Sequence, residues 1–286
     1  SKEMKSLFLE DGNSSKARNV GAKEAKGKYL LFLDNDVEVG KGAIGKVETY
    51  LRKHPRVGGG QLKLLRTNKR KKYDSAGEKF TASGFLVERA REAEDRGQFD
   101  SDEPIFSGKG AAMVVRRELF EKVGRFDEDY QYYWEEPDLC WRIWKAGYEV
   151  RFLWMGMVYH AFMSEAKPVS RERRVGVAFL GCRNQVMTVL KNGVGWGLVQ
   201  MIVSITLAWI GLAIWFIVQE GDFERSKEVV KAFWWIVKHR KAIEKKRKWV
   251  QEKLKSDEKW MGKVVVKRDW RWYTGKGWAY VTGRGF

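Results

Sequence analysis

The sequence predicts an α/β core followed by a membrane-embedded helix and a basic helical tail. Three observations lead there. Tyr29-Leu30-Leu31-Phe32-Leu33 is an unbroken apolar run, which reads as a strand buried on both faces of a parallel sheet. Helical and extended patterns alternate around it: a helix over residues 16–25, the strand, a helix through Ile44, Val47, Tyr50 and Leu51, then a strand over 57–65. Residues 193–218 hold no charged side chain, a stretch long enough to cross a hydrocarbon core of roughly 30 Å.

Composition bounds the partners. The chain has 286 residues, room for one substantial domain plus an appendage or for two small domains. Its 55 Lys+Arg against 37 Asp+Glu give a net charge of +18, which calls for an anionic partner: nucleic acid, a phosphorylated substrate or an acidic membrane surface. Cys140 and Cys182 form no metal or redox pattern, as suits a reducing compartment.

Taken in order, residues 4–9 read as a short strand, and Asn13-Ser14-Ser15 supplies the cap of the first helix. Lys16 and Arg18 lie in its opening turns, where cations oppose the helix dipole. A nearby anion would explain them, and so would an ordinary solvated basic helix. Asp34 and Asp36, spaced i, i+2, leave the strand end toward one side. Hard oxygen ligands beyond a strand's carboxyl end suit Mg²⁺ or Mn²⁺ clamping a diphosphate, although an Asx turn would use the same triplet. An EF-hand is excluded, because Val39 falls where that loop needs glycine.

Residues 66–72 read as a basic loop and 73–105 as one long polar connection without a period. A strand over 111–115 and a helix over 116–123 follow. Pro137 is expected at the first position of the next helix, so Glu135 and Glu136 sit at its start, as a general base held by dipole and amides could. Asp138 and Arg142 are i, i+4, the spacing of a helix salt bridge. His160 ends a strand, where a lone histidine serves either structure or ligation.

These blocks, in this order, resemble inverting glycosyltransferases of family 2 with the GT-A fold, close to rhamnosyltransferase-like members. The matching residues are Ala17-Arg18-Asn19-Val20-Gly21, Ala25-Lys26-Gly27-Lys28-Tyr29 leading to Asp34-Asn35-Asp36, and Ser107-Gly108-Lys109-Gly110. Gly124-Arg125-Phe126-Asp127-Glu128, Glu135-Glu136-Pro137-Asp138-Leu139-Cys140-Trp141-Arg142 and His160 continue the match, with Arg183-Asn184 and Lys191-Asn192 after them.

The resemblance implies a nucleotide-diphospho-sugar donor and a hydroxyl acceptor. Asp34 and Asp36 would hold metal and diphosphate, His160 would join the metal, Arg18 and Asn19 would line the donor, and Gly108, Asp138 and Arg142 the acceptor. Glu136 stands where relatives carry the aspartate that activates the acceptor, with Glu135 a rival for that role. The family opens with a base-binding strand–helix–strand region of about 30 residues or more. The expectation is therefore an N-terminally incomplete GT-A core lacking its first strands, completed by preceding sequence or by another chain, or else impaired in donor binding.

The expected division is a core over 1–165, a connecting helical segment over 166–192, a transmembrane or re-entrant helix over 193–218, and a basic, aromatic interfacial tail over 219–286. Residues 264–286 suggest a hairpin. The catalytic core would then lie at the cytoplasmic face of a membrane, working on a cell-surface glycan or a lipid-linked acceptor. A truncated inactive scaffold and a basic tail gripping nucleic acid or another anionic surface are the competing functions. Nucleic acid is the weaker of those partners, because the cations cluster beside the apolar helix, nearest to anionic lipid.

Overall fold

A computed structural model describes residues 5–10, 12–161, 170–254 and 257–268. The chain forms two compact units. The first comprises the described residues of Ser1–Gly77 and Ala90–Met163 with a short piece at Leu254, and the second those of Glu78–Arg89, Ser164–Lys253 and Asp257–Phe286.

The first unit is built on a mixed sheet. Its strands are β1 (Tyr29–Leu33), β2 (Val37–Val39), β3 (Val57–Arg66), β4 (Tyr73–Ser75), β7 (Ala112–Arg116) and β8 (Glu149–His160). The order is β1-β7-β3-β8-β2, with β4 added to β3. Among the described residues of this sheet, β3 and β8 pair in parallel and the other pairings are antiparallel. Four helices accompany it: α1 (Ser14–Glu24), α2 (Ala43–Lys53), α3 (Arg117–Lys122) and α4 (Glu135–Lys145).

Several expectations need correction. β1 is not buried on both faces of a parallel sheet: it stands at the end of the strand order and pairs antiparallel with β7 alone among the described residues. Leu30 and Phe32 are buried and Leu33 is exposed, so the apolar run hides an ordinary alternation. Phe32 packs on Phe120 and Phe126, ring centroids 5.5 and 5.1 Å away. The strand buried on both faces is β3, all ten of whose residues are buried. A Cβ at Gly60 would overlap the Arg151 carbonyl, so β8 can approach only a glycine there. Residues 5–9 form no strand. The polar connection is partly strand, because β4 and the second unit's β5 (Glu78–Thr81) and β6 (Leu86–Glu88) lie within it.

Antiparallel and parallel pairing together bring five strand ends to one place. The end of β1 meets the start of β7, and Asp34 N–H bonds the Ala111 carbonyl at 3.3 Å. The last residue of β8, His160, faces both Val37 of β2 and Arg66 of β3. That register sets His160 beside the Asp34-Asn35-Asp36 turn.

Asp138 and Arg142 are not at a surface that an acceptor could reach. Asp138 is fully buried and Arg142 nearly so; the guanidinium donates to Asp138 Oδ2 at 3.0 and 2.6 Å and to the Val123 carbonyl. The pair ties α4 to the end of α3. Removing one partner strands a buried charge, so Asp138→Ala is expected to destabilise the protein by about 3–5 kcal/mol. An unfolding free energy from denaturant titration lowered by under a quarter of that would show the pair to be dispensable.

The second unit is helical: α5 (Arg171–Asn192), α6 (Gly195–Glu220), α7 (Phe223–Lys238) and α8 (Arg240–Lys253), with the short α9 (Met261–Val264). A small sheet of order β6-β5-β9 belongs to it, β9 being Val265–Val266. α6 is a single helix of 26 residues, by length and composition able to cross a membrane. Gln185 of α5 fixes its neighbours, donating to the Gly84 carbonyl at 2.8 Å and accepting from the Trp209 indole at 2.9 Å. Beyond β9, the hairpin expected in the tail lies outside the described residues.

Candidate active site

α1 carries the first functional side chains and is held by its own cap. Asn13 accepts from Lys16 N–H at 3.0 Å, and its amide donates to the Glu128 carbonyl at 2.9 Å. Ser14 Oγ donates to the Gln131 carbonyl at 2.5 Å. Asn19, expected at the donor, is instead buried: it donates to the Phe126 carbonyl and to Glu128 Oε1, both at 2.9 Å, and accepts from Phe126 N–H at 3.1 Å. Its work is to clamp Gly124-Arg125-Phe126-Asp127-Glu128 against α1.

The loop so clamped runs into α4 through strained backbone. Gln131, Tyr133 and Trp134 have φ of +62°, +67° and +70°, left-handed values that cost non-glycine residues of order 1–3 kcal/mol each. The helix starts at Glu135, two residues before Pro137, which therefore occupies its third position rather than its first. Either position lies in the first turn, whose N–H groups have no helical partner to lose.

Arg18 joins the two ends of the site. Its Nη1 lies 2.9 Å from both Glu135 Oε1 and Glu136 Oε1, and its Nη2 lies 3.3 Å from Asp34 Oδ1. Burial works against the charged guanidinium, yet the carboxylates around it, Glu136 foremost, raise its pKa above the ordinary arginine value. Glu136 Oε1 also accepts from Gly110 N–H at 3.0 Å. A Cβ on Gly110 would overlap both Glu136 Oε1 and Arg18 Nη2, so only glycine lets the amide reach the carboxylate. Gly108, expected at the acceptor, is buried, and a Cβ there would overlap the side chain of Gln61. Its role here is close packing on β3.

The two glutamates are not equivalent. Glu135 is 4 % exposed and its Oε2 has no hydrogen-bond partner, whereas the Glu136 side chain is 13 % exposed. Burial first and Glu136 second push the Glu135 pKa well above the carboxylate range, against the pull of Arg18. A folded-state pKa raised in this way contributes stability that is complete below the unfolded value and is lost as pH rises through the folded one. Glu135→Gln, neutral throughout, is expected to show no such decline. Unfolding free energies of both proteins from pH 4 upward should therefore diverge in favour of the variant, and parallel curves would show that Glu135 stays ionised.

At the other end, Asp34, Asp36 and His160 each offer a ligand atom, all within 4.8 Å of one another. His160 Nε2 is 3.2 Å from Asp36 Oδ1, and Nδ1 is 3.0 Å from Asp74 Oδ2. Two carboxylates and an imidazole suit a divalent ion. The Asp74 contact strengthens the fit, since ligating histidines usually direct their second nitrogen at a carboxylate. Burial alone would raise the Asp74 pKa, but the bond to His160 and the charges of Lys109 and Arg91 hold it down to about 2. Asp74 was invisible in the sequence: it precedes His160 by 86 residues in a stretch without a period. Asp74→Asn is expected to weaken Mn²⁺ binding by about 10–100-fold, read with the metal alone by calorimetry. An unchanged affinity would make Asp74 a packing residue.

Residues 7–124 match the family model described as "Glycosyl transferase family 2". Over those residues the chain is similar to that family. Solved structures agree in fold: GalNAc-T7, solved with UDP, GalNAc and Mn²⁺, superposes with a TM-score of 0.50 at 16 % identity over 81 % of this chain and 44 % of its own. Residues 1–349 of TarS from S. aureus superpose with a TM-score of 0.50 at 15 % identity, over 86 % of this chain and 69 % of that one. The present chain thus spans less than half the length of the first of these glycosyltransferases. No curated protein matches it in sequence.

Proposed function

We propose that this family 2 glycosyltransferase core moves a sugar from a nucleoside-diphosphate donor to a hydroxyl acceptor with inversion at the anomeric carbon. The observation that carries the reading is Arg18, whose one guanidinium touches Asp34 on one side and Glu136 on the other. A candidate metal-binding carboxylate and a candidate base are thereby a single side chain apart.

Asp34, Asp36 and His160 would hold Mn²⁺ or Mg²⁺, and the bound ion would neutralise the charge that develops on the departing diphosphate. Glu136 takes the acceptor proton as the acceptor oxygen bonds to the anomeric carbon. The carbon–oxygen bond to the diphosphate breaks in the same displacement and its electron pair leaves with the phosphate, so one inversion results. Gly110 N–H keeps the Glu136 carboxylate aimed during that transfer, and Arg18 supplies positive charge between donor and base. Asp74 holds the His160 ring in place. Glu135, buried and biased toward its neutral form, shapes the start of α4 instead of taking the proton.

The acceptor class favoured is a lipid-linked or cell-surface glycan, because the same chain carries the apolar helix α6. UDP- and GDP-sugars incubated with the protein and Mn²⁺, with release of nucleoside diphosphate as the readout, test the reading. Donor turnover that Glu136→Gln suppresses supports it. No turnover of any donor by a protein that binds both Mn²⁺ and UDP or GDP would favour an inactive scaffold.

A further inference from the structure

α6 has two opposite apolar faces, and the unit containing it uses only one. Ile205, Trp209, Leu212 and Phe216 are buried. Trp196, Val203, Leu207, Ile210, Ile214 and Val218 recur every three to seven residues on the other side and are 47–80 % exposed. α7 repeats the arrangement: Val229 and Ala232 are buried, while Phe223, Val230, Trp234 and Val237 are 51–68 % exposed. Two adjacent helices thus present long apolar stripes to solvent, more than isolated surface hydrophobes account for.

We infer that the open faces of α6 and α7 lie in the plane of an anionic lipid surface, buried to the depth of the acyl boundary, and that α6 does not cross the bilayer. Three features of this unit select that occupant. Lys227, Lys231 and Lys238 adjoin the α7 stripe on the exposed side, and α8 adds Arg240, Lys241, Lys245 and Lys248, all exposed. Lysine beside an apolar helical stripe is the pattern of an interfacial helix, and Trp196 and Trp234 are interfacial residues by chemistry. A second copy of this chain would bring the same cations, and a net charge of +18, against one another.

Crossing is disfavoured by what α6 is packed on. The chain turns back at Gly221, and α7 packs along α6 while carrying Glu224, Arg225, Lys227, Glu228 and Lys231. α5 packs there too, with Arg183, Asn184, Gln185 and Lys191 buried. A spanning α6 would draw these charges into hydrocarbon, where each is costly. The surface reading needs no such burial. It is independent of the transfer chemistry, since binding to lipid is measured without donor or metal.

The test uses the full chain and preformed vesicles of phosphatidylcholine with or without phosphatidylglycerol. Flotation with anionic vesicles is expected, weakened at least about tenfold by Leu207→Glu or Ile214→Glu, changes at exposed positions that leave the packed face intact. Lys241→Glu should weaken binding to anionic vesicles but not the residual binding to neutral ones. Native Cys140 and Cys182 are buried, so Trp196→Cys and Gln219→Cys place unique reactive thiols at the two ends of α6. On bound vesicles both should react with a membrane-impermeant maleimide added outside. Protection of one end only would mean that α6 crosses, and overturn the inference. So would a lipid-independent dimer that Leu207→Glu dissociates, or flotation unaffected by both glutamate substitutions.

Discussion

Glu136→Gln is expected to lower sugar transfer by about 10²–10⁴-fold, the range that general-base catalysis supplies, while donor binding survives. Glutamine keeps the size of the side chain and can still accept from Gly110 N–H through its amide oxygen. It has no basic oxygen to take the acceptor proton. The change also removes one of three carboxyl side chains that contact Arg18, leaving the guanidinium its contacts with Asp34 and Glu135. Glu135→Gln should cost far less activity, because a buried carboxyl biased toward its neutral form already resembles an amide. The decisive measurement is single-turnover transfer at saturating donor, with donor affinity determined separately. If Glu135→Gln is the crippled variant, the base is one residue earlier; if both remain active, the proton goes elsewhere.

The second large effect is expected at Asp36. Its Oδ1 is 3.2 Å from His160 Nε2, so one substitution removes a candidate carboxylate ligand and a contact of the candidate imidazole ligand, whose other nitrogen stays on Asp74. Asp36→Asn should weaken Mn²⁺ binding by more than the roughly 10–100-fold anticipated for an outer partner such as Asp74, and Mn²⁺-dependent turnover should fall with it. Free Mn²⁺ measured by electron paramagnetic resonance reads the affinity without substrate. The exposed neighbour Asn35→Ala serves as control. Equal Mn²⁺ titrations of the Asp36 variant and the parent would remove the triplet from the metal site.

What could be read from the sequence was local. The cap at Asn13, the strand ending at Asp34 and the helix start at Glu135 each depend on a few consecutive residues, and the structure has them within a residue or two. Long-range pairing was hidden. β4 and β5 carry buried Asp74, Ser75, Glu78 and Lys79, whose polarity masks the alternation by which strands are recognised. Asn19 and Arg18 are adjacent in sequence and alike in character. Only the fold separates them, one turned into a clamp on the Phe126 loop and the other toward the carboxylates. Asp138 and Arg142 had the spacing of a surface pair, and nothing in the sequence marks that α4 buries both.

The interrupted path of the first unit bears on how this protein can be cut. Glu78–Arg89 leaves that unit and belongs with the helices that follow residue 164. A shortened chain ending near residue 165 would keep the β5–β6 hairpin but lose β9, which pairs with β5 at Phe80 and Thr81. Phe80, Phe85, Leu86 and Val87, all buried in the whole protein, would be left on an open strand edge, the feature most prone to intermolecular pairing. Soluble expression of the first unit alone is therefore expected to require excising residues 78–89 and bridging Gly77 to Ala90, not merely stopping the chain before α5.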